Sequence, residues 1–245
     1  MSEETPTVVL VHGAFADGSS WNGVIQRLHA KGVKVTAPPN PLRGISIDSA
    51  YTASVFAQTP GPVLAVGHSY GGAVITNAAS EAANVVGLVY VAAFAPDEGE
   101  RLGEAAAASK DSLLGSAQVP RRYPTADGET AVEFAVDPAK IHEVFAADLP
   151  DELTPLIAAT QRPVAELAFS EPNGVPAWKD LPSWAVVALS DKAAGTDVVR
   201  SMAERAGARI TEVEGSHVIM ISQPEAVTDV ILDALATVKA PAAVG

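Results

Sequence analysis

The sequence predicts an α/β fold of three layers, in which helices flank both faces of a mostly parallel, six-stranded sheet. A chain of 245 residues that is 48% hydrophobic is long enough to bury such a core within one domain. Short runs rich in β-branched residues alternate with longer amphipathic stretches, as strands and helices do in βαβ units. The short runs are apolar on both faces, which is typical of strands covered by helices on either side.

The elements can be placed in order along the chain. The six predicted strands are residues 7–11, 34–37, 63–67, 85–91, 184–189 and 210–213. The predicted helices are residues 20–30, 46–58, 71–82, 196–206 and 223–238. Because strand and helix alternate, right-handed crossovers are expected to place successive strands side by side and parallel.

The interval between residues 91 and 184 breaks this alternation. Within it, Asp127-Gly128 forms a turn pair that predicts a hairpin between residues 121–123 and 131–134. Helical patterns follow at residues 138–146 and 152–159. We therefore expect a core of residues 1–96 and 181–240, an inserted cap of residues 97–180 over the carboxyl edge of the sheet, and a flexible tail at residues 241–245.

Composition excludes several classes of function. The chain has no cysteine, which rules out disulfides, thiolate metal sites and a cysteine nucleophile, and we expect neither a cofactor nor a metal. The net charge of −13, with Arg121-Arg122 as the basic cluster, argues against nucleic-acid binding. The acidic first residues lack a secretory signal and no apolar run is long enough to span a membrane. We therefore expect a cytoplasmic protein without membrane association.

The strongest chemical signal is the stretch from Gly67 to Gly72, Gly-His-Ser-Tyr-Gly-Gly, which fits the pattern G-x-S-x-G between an apolar strand and a helix. Such a turn is so sharp that its serine adopts strained backbone angles, and glycines on either side remove Cβ atoms that would collide. The Ser69 side chain would then stand near a helix N-terminus, which favours developing negative charge. The pattern predicts that Ser69 is a nucleophile.

A serine nucleophile requires a base, and the sequence offers five histidines. His217 follows the last predicted strand in Glu-Gly-Ser-His. It therefore lies at the edge of the sheet that also holds the elbow, the sharp turn with Ser69. The other four are less well placed: His12 belongs to the loop after the first strand, His29 to a helix, His68 to the elbow itself and His142 to the cap. We therefore predict that His217 is the base.

The base in turn requires a carboxylate that fixes its tautomer and stabilises the imidazolium. Asp191 stands just beyond the fifth predicted strand, and the chain order Ser, Asp, His is that of α/β-hydrolases. Asp97, after the preceding strand, is the competing candidate. Asp197 and Glu214 are interpreted as solvated loop carboxylates.

Attack on a carbonyl produces an oxyanion, which needs donors already aimed at it. The loop Val-His-Gly-Ala-Phe at residues 11–15 leaves the first strand with a glycine that lets the backbone turn inward. We predict that the backbone N–H groups of Ala14 and Tyr70 form the oxyanion hole.

The same residues resemble the plant esterase and hydroxynitrile lyase branch of the α/β-hydrolases and its bacterial relatives. The resemblance is carried by residues 8–14, Trp21, residues 67–72, Ala92-Ala93-Phe94-Ala95-Pro96-Asp97, and Gly215-Ser216-His217-Val218. It spans most of the core and is weakest across the cap. It implies the α/β-hydrolase fold, with a compact core that lacks the first strands of that fold.

The resemblance also separates two chemistries. The hydroxynitrile lyases carry a threonine at the position of Gly13 and, just after the catalytic histidine, a lysine whose charge stabilises departing cyanide. Here the residues are Gly13 and Val218, as on the esterase side. Haloalkane dehalogenases and epoxide hydrolases of this fold use an aspartate on the elbow, and Ser69 argues against both.

We therefore expect a carboxylic ester hydrolase that forms an acyl-enzyme on small to medium, largely apolar esters. Phe15 and Trp178 are the predicted substrate-binding residues, and Phe134, Phe145 and Phe169 are further candidates for pocket walls. Alternatives on the same residues are a perhydrolase of the non-haem haloperoxidase type, a carbon–carbon bond hydrolase, a hydroxynitrile lyase and a non-catalytic ligand-binding protein. The expected partner is a small-molecule ester, and the sequence makes no prediction of oligomeric state.

Overall fold

The computed structural model describes residues 5–238, which form a six-stranded and a three-stranded sheet. The strands in chain order are β1 (Thr7–Val11), β2 (Val35–Thr36), β3 (Val63–His68), β4 (Val85–Val91), β5 (Gln118–Pro124), β6 (Thr130–Val136), β7 (Val164–Ala165), β8 (Ser183–Ala188) and β9 (Arg209–Val213). The larger sheet has the order β2-β1-β3-β4-β8-β9, and every neighbouring pair is parallel. The predicted fold class is confirmed.

Helices of the core cover both faces of this sheet. In chain order, the helices are α1 (Asn22–Ala30), α2 (Ile45–Gln58), α3 (Tyr70–Ala78), α4 (Leu102–Ala108), α5 (Leu114–Ala117), α6 (Ile141–Val144), α7 (Thr154–Thr160), α8 (Leu167–Ser170), α9 (Thr196–Arg205), α10 (Ile219–Ser222) and α11 (Pro224–Thr237). The shorter helices α4 to α8 lie between β4 and β8. Helix α1 packs against α11, and α2 packs against α3. On β4, the Tyr90 hydroxyl bonds Thr76 of α3, whereas Gly87 faces the end of α11. Because these two positions differ by three residues, α3 and α11 lie on opposite faces.

The two edge strands differ from the prediction. Strand β9 is exposed or half-buried at every position, rather than apolar on both faces. Strand β2 has only two residues, neither of them fully buried, where four were predicted. Each of these strands has a neighbour on one side only, so a continuous apolar run is not required there.

Residues between β4 and β8 form a separate layer built on the three-stranded sheet. Strands β5 and β6 pair antiparallel from Gln118↔Val136 to Pro124↔Thr130, which confirms the predicted hairpin. Gly128 has φ 88° at its turn, a conformation that favours glycine. The predicted helix at 138–146 is shorter: the Asp137 carboxylate caps a 3₁₀ turn at Pro138–Lys140, and α6 ends at Val144.

Polar contacts join this layer to the core. Arg43, before α2, forms an ion pair with Glu133 of β6 at 2.8 Å and lies 4.4 Å from the ring centre of Tyr123. Asp197 accepts hydrogen bonds from the Ser109 hydroxyl and the Lys110 N–H, so it anchors the cap rather than facing solvent alone. The boundaries of the cap at 97 and 180 stay a prediction, and the predicted flexible tail lies outside the described residues.

Over residues 5–238, no helix combines the length and the apolar character that a bilayer span needs.

Candidate active site

Ser69 lies on the turn between β3 and α3, at the carboxyl edge of the sheet. Its backbone has φ 52° and ψ −122°, a strained conformation for a residue with a side chain. The turn is close-packed, because a Cβ on Gly67 would lie 2.5 Å from Gly71 O. A Cβ on Gly71 would likewise collide with the carbonyl oxygen of Val11. Only glycine fits these two positions, so the sequence pattern and the strain at Ser69 have the same cause.

His217 and Asp191 form a buried pair in the loops after β9 and β8. The Nδ1 atom of His217 donates to Asp191 Oδ2 at 2.9 Å, and both side chains are 1–2% exposed. Asp191 Oδ1 accepts the backbone N–H groups of Ala193 and Ala194, each at 2.9 Å. This arrangement places the proton of the neutral imidazole on Nδ1 and leaves Nε2 able to accept one.

The loop with His217 lies against the elbow through His68, the neighbour of Ser69. His68 Nε2 donates to the backbone carbonyl of His217 at 3.0 Å, and the two ring centres are 4.7 Å apart. Within the described residues, no hydrogen bond joins Ser69 Oγ to Nε2 of His217. Catalytic hydrogen bonds of this kind commonly tighten only when substrate binds. The structure thus brings the elbow and the His–Asp pair together without forming the Ser–His bond.

Two backbone donors flank Ser69. The N–H groups of Ala14 and Tyr70 make no hydrogen bond to a protein acceptor in the described part of the chain. Tyr70 is the first residue of α3, so its N–H is one of the unpaired donors of a helix N-terminus. A Cβ at Gly13 would lie 2.8 Å from Ser69 Cβ, which shows how closely the loop with Ala14 approaches the elbow. Both predicted oxyanion donors are therefore unpaired and close to Ser69.

A buried carboxyl group that the sequence did not indicate lies behind Tyr70. The Tyr70 hydroxyl donates to Asp48 Oδ2 at 2.7 Å, and Asp48 also accepts the N–H of Arg43 at 3.0 Å. Burial raises the pKa of Asp48 above its usual range, although these hydrogen bonds oppose the rise. The available signal was one acidic residue within the largely apolar helix α2.

His12 is fully buried and both ring nitrogens are engaged. Its Nε2 accepts the N–H of Asn40 at 3.0 Å and lies 3.3 Å from Nη1 of Arg162, while Nδ1 donates to Gly13 O at 2.9 Å. Burial, reinforced by the charge of Arg162, lowers the pKa of His12 to about 4 despite the bond to Gly13. His12 therefore fixes the loop as a neutral group and has no free nitrogen with which to act as a base.

Asp97, the competing acid, and Trp178, a predicted substrate-binding residue, bond to residues other than the His–Asp pair. Asp97 forms an ion pair with Lys179 at 2.7 Å, and the bond from Lys179 lowers the pKa of Asp97. The Trp178 indole N–H donates to Pro96 O at 3.0 Å. Asp191, not Asp97, is hydrogen-bonded to His217. A substrate-binding role for Trp178 stays a prediction.

Aromatic rings from the core and the cap meet at His217. The Phe145 ring contacts the His217 ring at 5.0 Å and the Phe15 ring at 6.2 Å, both edge to face. Phe15, Phe145 and Val218 line a crevice of about 100 Å³. A larger cavity of about 610 Å³ is lined by residues 101–170, within the cap itself, and Phe169 in its wall packs 6.5 Å from the Tyr70 ring.

The loop before His217 has a second contact with the cap that the sequence did not indicate. The buried hydroxyl of Ser216 donates to the carboxylate of Asp148 and lies 3.3 Å from Phe145 O. Asp148 was unremarkable in the sequence because its partner is 68 positions away. Among the residues described, no group of three or more His, Asp or Glu side chains is arranged to hold a metal ion.

Parallel strands that end in a serine elbow and a buried His–Asp pair are the architecture of hydrolytic α/β proteins. The chain belongs to the alpha/beta hydrolase family, whose model matches residues 8–230.

Comparisons with individual proteins agree with this membership. A pyrethroid hydrolase of Sphingobium wenxiniae is 25% identical over 92% of this chain and 86% of its own length. A solved structure of a pyrethroid hydrolase superposes with a TM-score of 0.78 at 22% identity, covering 95% of this chain and 98% of the other. A methylesterase from Arabidopsis gives a TM-score of 0.77 at 20% identity, covering 94% and 99%. The resemblance to the esterase side of the family, which the sequence motifs predicted, is confirmed.

Proposed function

We propose that the protein is a serine carboxylesterase. In the first half-reaction, Ser69 Oγ attacks the ester carbonyl while Nε2 of His217 takes its proton, and the alcohol leaves with that proton. In the second, water attacks the acyl-enzyme, His217 again moves the proton, and the acid is released. The observation that carries the proposal is the buried His217–Asp191 pair beside a strained serine elbow.

Two features support stabilisation of the oxyanion at this elbow. The unpaired N–H groups of Ala14 and Tyr70 are oriented by the backbone and need no reorganisation when charge develops. The Asp48 carboxylate accepts a hydrogen bond from the Tyr70 hydroxyl, which restrains the first turn of α3. We assign these two donors to the oxyanion hole.

The lyase alternative is disfavoured by sterics and by charge. A side chain at Gly13 would collide with Ser69 Cβ and with His68 O, because its Cβ would come within 3 Å of each of these atoms. Val218, after the candidate base, is buried and apolar, so no cation stands at this described position where cyanide would depart. The site therefore favours ester hydrolysis over cyanohydrin cleavage.

The substrate class we propose is a small to medium, largely apolar ester. Phe15, Phe145 and Val218 give the crevice beside the candidate site apolar walls, which suit the hydrocarbon parts of such an ester. One relative is named a pyrethroid hydrolase and another a methylesterase, and the second name, which states an ester substrate, supports the same class.

Hydrolysis of p-nitrophenyl acetate and butyrate by the wild type, Ser69→Ala and His217→Ala tests the proposal. Loss of either group is expected to lower turnover on the order of 10⁶-fold, with residual activity from the oxyanion hole and substrate binding. Wild-type turnover that survives in Ser69→Ala would rule out this serine as the nucleophile.

A further inference from the structure

His68 is a buried histidine to which the proposed mechanism assigns no step. It is 0% exposed, although it is polar and stands next to the proposed nucleophile. Its ring packs edge-on against Trp21 at 6.3 Å and lies 4.7 Å from the ring of His217. A buried polar group normally has a structural or functional reason, because burial without partners is costly.

The protonation state of His68 follows from its partner. A carbonyl oxygen can only accept, so the 3.0 Å contact with His217 O places the proton on Nε2 of His68. Nδ1 is then an acceptor, and it has no hydrogen-bond partner in the described chain. Burial, helped by the nearby His217, lowers the pKa of His68 well below its ordinary value. His68 therefore stays uncharged and does not repel the imidazolium that His217 would become.

We propose that His68 is a positioning residue that holds the base over Ser69. Asp191 fixes the ring of His217 through Nδ1, and His68 fixes the backbone of the same residue through its carbonyl. The second bond joins the end of β3 to the loop after β9, across 149 positions of sequence. This inference rests on the proposed esterase function.

Two amide substitutions of His68 separate positioning from simple packing. In His68→Gln the amide nitrogen falls near the place of Nε2 and can still donate to His217 O. In His68→Asn the amide nitrogen falls near the place of Nδ1 and does not reach it. Each variant is assayed for kcat and KM on p-nitrophenyl butyrate, for the rate of labelling by a fluorophosphonate and for thermal stability. His68→Met, which fills the volume without a donor, replaces the Asn variant if that variant does not fold.

The expected kcat of His68→Gln is within about threefold of the wild type. The kcat of His68→Asn or His68→Met is expected to fall tenfold or more at similar KM, because small misplacements of a catalytic group have effects of about this size or larger. Labelling should slow in parallel. Folded Gln and Asn variants with equal kcat would overturn the positioning role while leaving the esterase proposal intact. A wild type that neither turns over nor labels would overturn both.

Discussion

At the scale of single residues, strain and burial are concentrated around Ser69. Ser69 and Phe15 both have positive φ, 52° and 62°, which costs on the order of 1–3 kcal/mol at each such residue. His12 and His68, buried on either side, remain neutral because burial opposes their protonation. The surrounding structure has to offset these costs. Protonation of a buried imidazole would add a further cost, so the stability of the folded protein should depend on pH.

Acid should therefore destabilise the protein through His12. Its pKa is about 4 in the folded state and about 6.5 in the unfolded chain. As pH falls below 6.5, the unfolded state gains a proton that the folded state does not, so the free energy of unfolding falls until about pH 4. His12 alone contributes about 3 kcal/mol to this loss, and His68, whose pKa burial also lowers, adds to it. Urea unfolding at several pH values in this window measures it.

The matched comparison uses two histidine variants. His12→Asn should reduce the slope of unfolding free energy against pH by up to about 1.4 kcal/mol per pH unit, which corresponds to one proton. His29→Asn, on an exposed position of α1, should keep the slope of the wild type. A slope in His12→Asn equal to that of the wild type would contradict the account of this residue.

At the scale of elements, α2 and α3 are held together by a polar contact inside an apolar interface. Asp48 of α2 accepts from the Tyr70 hydroxyl at the start of α3, and both side chains are buried. The same carboxylate accepts the N–H of Arg43 ahead of α2. One side chain thus organises the beginnings of two helices, one of which follows Ser69 directly.

Substitution of Asp48 by alanine should therefore destabilise the fold by about 2 kcal/mol, because buried donors lose their acceptor. Asp48→Asn keeps an acceptor oxygen and should cost less. Urea unfolding of both variants, with Tyr70→Phe and the double variant Asp48→Ala/Tyr70→Phe, measures the contact. Costs that simply add in the double variant would show that the two side chains are not coupled.

The sequence predicted those elements whose signal is local. The runs that became β1, β3, β4 and β8 are continuous and apolar. The elbow has glycines at positions where a Cβ would collide with neighbouring backbone atoms. The short helix α10 and the exposure of β9 were not predicted, since neither has a strong periodic pattern. The contacts of His68 with His217 and of Asp48 with Tyr70 join residues distant in sequence, so no single segment could indicate them.

At the scale of the whole molecule, the parallel sheet explains why one serine, one histidine and one aspartate lie at the same edge. Strands β3, β8 and β9 end at the same edge, and the loops that follow them carry Ser69, Asp191 and His217. The cap adds Phe145 against His217 and is joined to the core by the Arg43–Glu133 ion pair. Membership of the alpha/beta hydrolase family agrees with this arrangement, and the proposed activity depends on Ser69 being a nucleophile.

The most direct test of that claim is intact-mass analysis after treatment with a fluorophosphonate probe, followed by peptide mapping, for the wild type beside Ser69→Ala. One adduct per wild-type chain is expected, located on Ser69, and none on the variant. A wild type that takes no label, or equal labelling of both proteins at another residue, would contradict it.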